Sequence, residues 1–336
     1  MKKLIIQIPC LNEAQTLPAT LADLPKSIAG VDAVEVLVID DGSRDGTADV
    51  ARACGVDHIV RLRRNKGLAA AFQAGLDASL KAGADFIVNT DADNQYAGQD
   101  IPKLIAPLLR GEADMVIGDR NIAELRHMSW RKRQLQALGS WVVRQVSSTS
   151  VPDTTSGFRA YTRDTALRMT IVSEFSYTLE SIIQAGKKRM AIAHVPVSVN
   201  PRTRPSRLFD SVFSYIKRSG ATVVRIYAMY EPLKVFTYLG GAISLAGVAG
   251  FVRFFYYYLN GLASRHIASL VASGMFVTLG FLVLVIGLLA DVISGNRKLL
   301  EDLVYRVRAL ESPPREAEHE RPVMTRAADR ADRWEH

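Results

Sequence analysis

The chain has 336 residues, 42 of them Lys or Arg against 34 Asp or Glu, for a net charge of +8. That balance suits a polyanionic partner, but no nucleic-acid recognition motif accompanies it, so phosphate substrates and anionic lipid fit better than nucleic acid. The two cysteines, Cys10 and Cys54, have no CxxC spacing and the six histidines are scattered, which excludes a zinc site or a disulfide framework and points to a reducing compartment.

Residues 1–120 alternate strand-like and helix-like stretches. Met1 to Pro9 is basic, then apolar, and too short for a signal-peptide core, so it reads as the first strand. Strands are predicted at 3–9, 34–39, 58–62, 85–90 and 114–118, with helices at 14–28, 45–54, 66–82 and 100–110. This βαβα rhythm with near-continuous apolar strands predicts a mostly parallel sheet covered on both faces. Ligands of such sheets sit beyond the carboxyl ends of the strands.

Residues 121–150 change character. Leu135, Leu138, Val142 and Val146 recur at helical spacing among Arg126, Arg131, Lys132, Arg133 and Arg144, which reads as an amphipathic helix on an anionic membrane surface. A surface helix packed on the domain is the alternative. Residues 151–210 are polar and mixed, and 208–230 form a juxtamembrane helix. Pro232 to Val252 carries one charge, Lys234, and Ile267 to Ala290 carries none; each is long enough to cross a hydrocarbon core of about 30 Å. Aromatics at 254–258 read as an interfacial belt. Basic residues flank the outer ends of the pair, so the positive-inside rule predicts a hairpin in the cytoplasmic membrane with the soluble domain and both termini in the cytoplasm. Leu299, Leu300, Leu303, Val304, Val307 and Leu310 then mark a helix over 296–311. Self-association into a homo-oligomer and membrane contact both remain open for it. Residues 312–336 are predicted to be disordered.

The most informative stretch is 84–95. The apolar run Phe86-Ile87-Val88 ends at Asp91 and Asp93, with Gln95 close behind. On an extended strand end, side chains two apart share a direction, so the two carboxylates converge. They repel unless a cation sits between them, and an oxygen-only set suits Mg²⁺ or Mn²⁺ shared with substrate phosphates. A solvated Asp-rich turn is the bland reading of the same residues. Asp40 and Asp41 end the second strand in Asp40-Asp41-Gly42-Ser43-Arg44-Asp45-Gly46-Thr47, where Asp45 or Ser43 can cap the next helix. Pro9-Cys10-Leu11-Asn12-Glu13 ends the first strand, and Asn65-Lys66-Gly67 opens a helix whose amides can face a ligand.

In order, Pro9–Glu13, Asp40–Thr47, Asn65–Gly67, Asp91–Gln95, Gly118–Arg120, Asp153–Arg159 and Arg202–Arg207 resemble the family 2 glycosyltransferases of the polyprenyl-phosphate group, typified by dolichyl-phosphate mannose synthase. The resemblance spans about 1–210 by motif and 230–293 by membrane layout. It implies an α/β GT-A catalytic domain over 1–210, a nucleotide-sugar donor with a UDP or GDP head, and a polyprenyl-phosphate acceptor. By motif position Pro9, Asn12, Glu13, Asp40, Asp41, Ser43, Lys66, Gly67, Asp91 and Ala92 would hold the donor, and Asp91, Asp93 and Gln95 the metal. Asp93, Arg120, Asp153, Arg131, Arg133, Arg202 and Arg207 would line the reaction centre, with Asp153 orienting the acceptor or an arginine. Pro205 and Arg207 stand where the family often has Gly and Lys, and Asp119 where it often has Ser. A phosphate acceptor is already anionic at neutral pH, so the expected reaction is in-line attack with inversion, aided by cations rather than a strong base. A polysaccharide synthase of the same fold would need Gln-x-x-Arg-Trp, but the Arg-Trp pair here is Arg333-Trp334, with Arg330 at the Gln position. A dinucleotide oxidoreductase would need GxGxxG after the first strand.

Overall fold

The computed structural model describes residues 1–120, 143–144, 146–147, 149, 151–172, 177–200, 212–261 and 266–312. Arg131, Arg133, Arg202, Arg207, the tail beyond 312 and most of the 121–150 stretch lie outside them. In chain order the strands are β1 (Lys3–Cys10), β2 (Ala33–Asp40), β3 (His58–Arg61), β4 (Phe86–Asn89), β5 (Met115–Asp119), β6 (Arg159–Thr162) and β7 (Ile192–Pro196). The helices are α1 (Leu17–Asp23), α2 (Thr47–Ala53), α3 (Leu68–Lys81), α4 (Ile101–Leu109), α5 (Arg163–Arg168), α6 (Tyr177–Lys187), α7 (Val212–Tyr230), α8 (Pro232–Leu259) and α9 (Ile267–Glu311).

Among the described residues the strands form one seven-stranded sheet, ordered β3-β2-β1-β4-β6-β5-β7. All neighbours are parallel except β6, which runs antiparallel to both β4 and β5. β1 is buried along its whole length and divides its side chains by pleat. Ile5 belongs to the core on one face with Phe72, Leu76 and Ile182, and Leu4, Ile6 and Ile8 to the core on the other with Leu104 and Ile105. α3 lies close over β1 because Gly75 has no side chain; a Cβ there would stand 2.5 Å from Gln7 Oε1.

Four expectations need adjustment. α1 starts at Leu17 rather than 14, since Glu13 O accepts from the amides of Thr16 and Leu17 in a turn that delays it. The polar stretch after 151 contains β6, α5, α6 and β7, whose short mixed sequences carry little periodicity. Val146, from the apolar face of the amphipathic stretch, is partly buried and packs against the core that holds Val143, so at that position the face meets protein. The segment 296–311 is the continuation of α9 rather than a separate helix; its polar face touches α5 and the residues after it, while Leu299, Leu300, Leu303, Val307 and Leu310 stay more than half exposed. There Tyr305 Oη donates to Asp164 (2.9 Å), Arg308 donates to the Met169 carbonyl (2.7 Å), and Arg163 donates to the Ser312 carbonyl.

α8 and α9 are long and apolar enough to cross a membrane. Their mutual seam uses small residues seven apart: Gly240 and Gly247 on α8, Ser273, Gly280 and Gly287 on α9. A Cβ at Gly280 would stand 2.7 Å from the Gly240 carbonyl, so the two backbones are in near contact. Outward-facing Leu245, Phe281 and Leu289 stay more than half exposed.

Candidate active site

Because six of the seven strands point one way, their carboxyl ends bring distant loops to one edge. Cys10 pairs in register with Asp40, and Gln7 with Asn89. The loops after β1 and β2 are sewn together by four bonds. The Asn12 amide donates to Ser43 Oγ (2.9 Å), the Arg44 amide to Asn12 Oδ1 (2.9 Å), the Glu13 amide to Thr47 Oγ1 (3.0 Å) and the Ala14 amide to Asp45 Oδ2 (3.0 Å). Asn12 adopts φ 55, a conformation asparagine tolerates better than most residues. Asp45, not Ser43, accepts from the first amide of α2 (Thr47 N, 3.0 Å). Gly42, with φ +73, passes so close to the Arg64 backbone that a Cβ would stand 2.6 Å from its carbonyl carbon.

Asp40 and Asp41 are 1% and 3% exposed. Asp41 spends both oxygens on backbone amides, Lys66 N at 2.8 Å and Gly67 N at 2.9 Å. Asp40 Oδ1 accepts from the Ser43 amide (2.8 Å), and Oδ2 faces the exposed Arg61 guanidinium at 3.4 Å. Burial raises the Asp41 carboxyl above its ordinary value, although the two amides pull it down. Lys66 and Gly67 therefore meet the acidic pair through their backbone.

β4 stops at Asn89, and Ala92 and Asp93 are in a turn that begins just after Asp91, so the two carboxylates do not share an extended strand end as expected. The turn still brings the two carboxylates within electrostatic reach. Burial, then the Asp93 charge, pushes the Asp91 carboxyl up to about 7. Among the described residues no hydrogen-bond donor reaches the Asp91 carboxylate. Gln95 donates its amide to Asp93 Oδ1 (3.2 Å) and accepts at its carbonyl from the Asn200 amide (2.8 Å). Thr20 Oγ1 on α1 ties down the Ala92 carbonyl at 3.0 Å.

Arg120 follows β5 and is locked by Asp153. Nε donates to Oδ2 (2.7 Å), and Nη2 to Oδ1 (3.0 Å) and to Thr155 Oγ1 (2.8 Å). Burial would raise the Asp153 carboxyl, but Arg120 more than offsets this and holds it below the ordinary value. After β7 the chain runs back past the acidic turn. Tyr96 and Val199 form a bridge, and Asn200 Nδ2 donates to the Asn94 carbonyl (3.1 Å). Gly118 leaves room for this return, since a Cβ there would press on Val197 at 3.1 Å. Asn200, the last described residue before the basic segment, therefore lies beside Asn94 and Gln95.

Some residues at this edge escaped the sequence reading. Asn89, fully buried, donates from Nδ2 to the Gly157 carbonyl (2.9 Å) and to Tyr177 Oη (2.8 Å). Arg159, also fully buried, donates to the Ser156 carbonyl (2.7 Å), the Thr178 carbonyl (2.8 Å) and the Thr154 carbonyl (3.0 Å), which fixes the loop carrying Asp153. A polar Asn closing an apolar strand was a usable signal for the first; nothing near Tyr177 in the chain marks it.

For a metal, the donor chemistry fits. Among the described residues no group of three or more His, Cys, Asp or Glu could hold an ion, so a complete protein cage is not built here. Two carboxylates, one of them without a donor, match a hard divalent ion that takes its other ligands from phosphate and water.

The glycosyl transferase family 2 model matches residues 5–168. An undecaprenyl-phosphate mannosyltransferase of Micrococcus luteus is 29% identical over 201 residues, 57% of this chain and 81% of that protein. An uncharacterized glycosyltransferase of Mycobacterium tuberculosis is 35% identical over 199 residues, 59% of this chain and 85% of that protein. Among solved structures, glucosyl-3-phosphoglycerate synthase from Mycobacterium tuberculosis, in complex with Mn²⁺, UDP and phosphoglyceric acid, aligns with TM-score 0.54 and 21% identity over 67% of this chain and 78% of its own. That likeness establishes a GT-A-like fold.

Proposed function

From the premise that this chain is a glycosyltransferase of family 2, we propose that it moves a sugar from a UDP- or GDP-sugar to a polyprenyl phosphate such as undecaprenyl phosphate, with inversion, at the cytoplasmic face of a membrane. One observation carries the reading: Asp91, a carboxylate without a donor among the described residues, sits beside Asp93 at the sheet edge where a locked arginine also arrives. The undecaprenyl-phosphate specificity of a 29% identical relative supports the acceptor class. The exposed apolar faces of α8 and α9 support a membrane setting, because in water they would incur the full cost of hydrating Leu and Phe side chains.

Asp91 and Asp93, with Gln95 behind them, would hold Mg²⁺ or Mn²⁺. When bound, the cation stabilises charge on the departing nucleoside diphosphate. This chain's residues do the rest. Pro9, Asn12, Glu13, Asp40, Asp41, Ser43, Lys66 and Gly67 frame the base and ribose. Arg120 has Nε and Nη2 committed to Asp153 and Thr155, and would meet the donor or acceptor phosphate with its Nη1 edge. A guanidinium fixed in this way loses little entropy on binding phosphate. Arg131, Arg133, Arg202 and Arg207 would add charge around the acceptor phosphate. That phosphate needs no strong base, and none is assigned.

The test uses the full chain in lipid vesicles with a panel of nucleotide sugars, undecaprenyl phosphate and Mn²⁺, and mass spectrometry of the lipids. A glycosylated lipid phosphate is expected from wild type and none from Asp93→Ala. Wild-type turnover by that variant would remove the metal assignment, and product only on hydroxyl acceptors would remove the lipid-phosphate reading.

A further inference from the structure

We propose that Gly157 and Tyr177 are positioning residues for the Asp91 carboxylate, so that cation affinity at the acidic turn is set by a loop before β6 and a tyrosine on α6. The inference rests on the reading of Asp91 as a metal ligand.

Asp91 accepts no hydrogen bond among the described residues, and what those residues offer its carboxylate is packing. The packing shows what does. A Cβ on Gly157 would stand 3.0 Å from Asp91 Oδ1, 3.2 Å from Oδ2 and 2.9 Å from Tyr177 Oη. The near-equal first two distances place the carboxylate broadside against the Gly157 α-carbon. Gly157 is not among the glycines with positive φ, so its backbone does not demand glycine. The demand comes from space, and the space belongs to Asp91.

That α-carbon is itself immobilised. The Gly157 amide donates to Tyr96 Oη (3.0 Å), and its carbonyl accepts from Asn89 Nδ2 (2.9 Å). Asn89 is held in turn by Gln7 Nε2 donating to its Oδ1 (2.9 Å). Tyr177 accepts the second Asn89 proton (2.8 Å), and its ring stacks on Phe72 with centroids 4.0 Å apart and planes 5° from parallel. Gln7, Asn89 and Tyr177 are each 1% exposed or less. The result is a rigid buried floor beneath one carboxylate, made from β1, β4, α3 and α6. Groups that orient a metal ligand without touching the metal commonly change affinity by about 10–100-fold when altered.

The experiment measures Mn²⁺ binding to the full chain in detergent by the loss of the free-ion paramagnetic signal, with UDP or GDP present, alongside melting temperature. Gly157→Ala should weaken Mn²⁺ binding by roughly tenfold or more, because the new methyl drives Asp91 outward. Tyr177→Phe keeps the ring stack and should weaken it by about threefold to tenfold. In the double variant the missing hydroxyl gives the methyl somewhere to go, so binding should recover toward the Tyr177→Phe value. Wild-type Mn²⁺ affinity in a folded Gly157→Ala or Tyr177→Phe protein would overturn the proposal, as would a double variant weaker than Gly157→Ala. Asp91→Asn separates the two levels: if it binds Mn²⁺ as wild type does, the metal reading itself falls; if it does not while the floor variants bind normally, only this inference falls.

Discussion

The tips of β2 and β4 both end in acidic pairs, yet the protein holds them in opposite ways. At the β2 tip, Asp41 receives two backbone amides and Asp40 one, so the carboxylates organise the loops around them. At the β4 tip, Asp91 receives no donor from the described residues and faces Asp93. In the first pair three of the four oxygens take backbone amides and the fourth, Asp40 Oδ2, faces the Arg61 guanidinium at 3.4 Å; the second leaves a charge problem that an added cation solves. The difference shows that an acidic doublet is no ligand site by composition alone. What counts is whether the backbone has already claimed its lone pairs.

The comparison is easiest to break with one conservative change made at each tip. Asp91→Asn should cost transfer on the order of a thousandfold, since a metal ligand stabilises transition-state charge by several kcal/mol. The same change should raise the melting temperature of the metal-free protein, because it removes a partly buried charge that has no donor among the described residues. Asp41→Asn should act in the other direction on stability. It points an amide NH₂ at one of the two backbone N–H groups and should cost about 1–3 kcal/mol. Thermal melts of both variants with chelator present check this, and shifts of the same sign would dissolve the distinction.

A pH series sharpens it. The Asp91 carboxyl keeps its proton up to about 7 in the folded protein, whereas in the unfolded chain it lets go near 4. Between those values the native state binds more protons, so metal-free stability falls as pH rises through that window and flattens above it. Asp91→Asn should remove part of this slope, and saturating Mn²⁺ should remove it in wild type. A slope unchanged in the variant would show that other groups carry it; Asp41, also raised by burial, is the first to examine.

Much of the sheet was legible because β1, β4 and β5 are buried apolar runs and β2 ends in one, separated by helices, a pattern set by local chemistry. The acidic turn was legible as a cluster, but its geometry was not. β4 stops at Asn89 because Asn89 turns its amide inward to Gly157 and Tyr177, contacts 68 and 88 residues away in the chain. The partner of Arg120 was open for the same reason: Asp153 reaches it only because β6 inserts antiparallel between β4 and β5. α9 shows the limit at the other end of the chain. Its polar face after 296 meets Asp164, Asp77 and the Met169 carbonyl through Tyr305 and Arg308, pairings far apart in the chain, while the apolar repeat that sequence periodicity marked, such as Leu299 and Leu303, stays exposed.

The smallest test concerns Asp45, which belongs to the β2 tip but is exposed and stands outside the proposed donor and metal sites. Its Oδ1 accepts from the Thr47 amide (3.0 Å) and hydroxyl (2.5 Å), and its Oδ2 from the Ala14 amide (3.0 Å). Desolvation would raise this carboxyl, but the Thr47 and Ala14 contacts hold it below the ordinary value. Its contribution to stability is therefore present at neutral pH and lost as pH falls below about 4, the reverse of Asp91. Asp45→Ala should cost about 1 kcal/mol at neutral pH, the usual worth of a helix N-terminal acceptor, and less in acid. The Mn²⁺ concentration giving half-maximal transfer should not move. If it does, the sewn loops after β1 and β2 transmit strain to the acidic turn, and the two tips work as one unit.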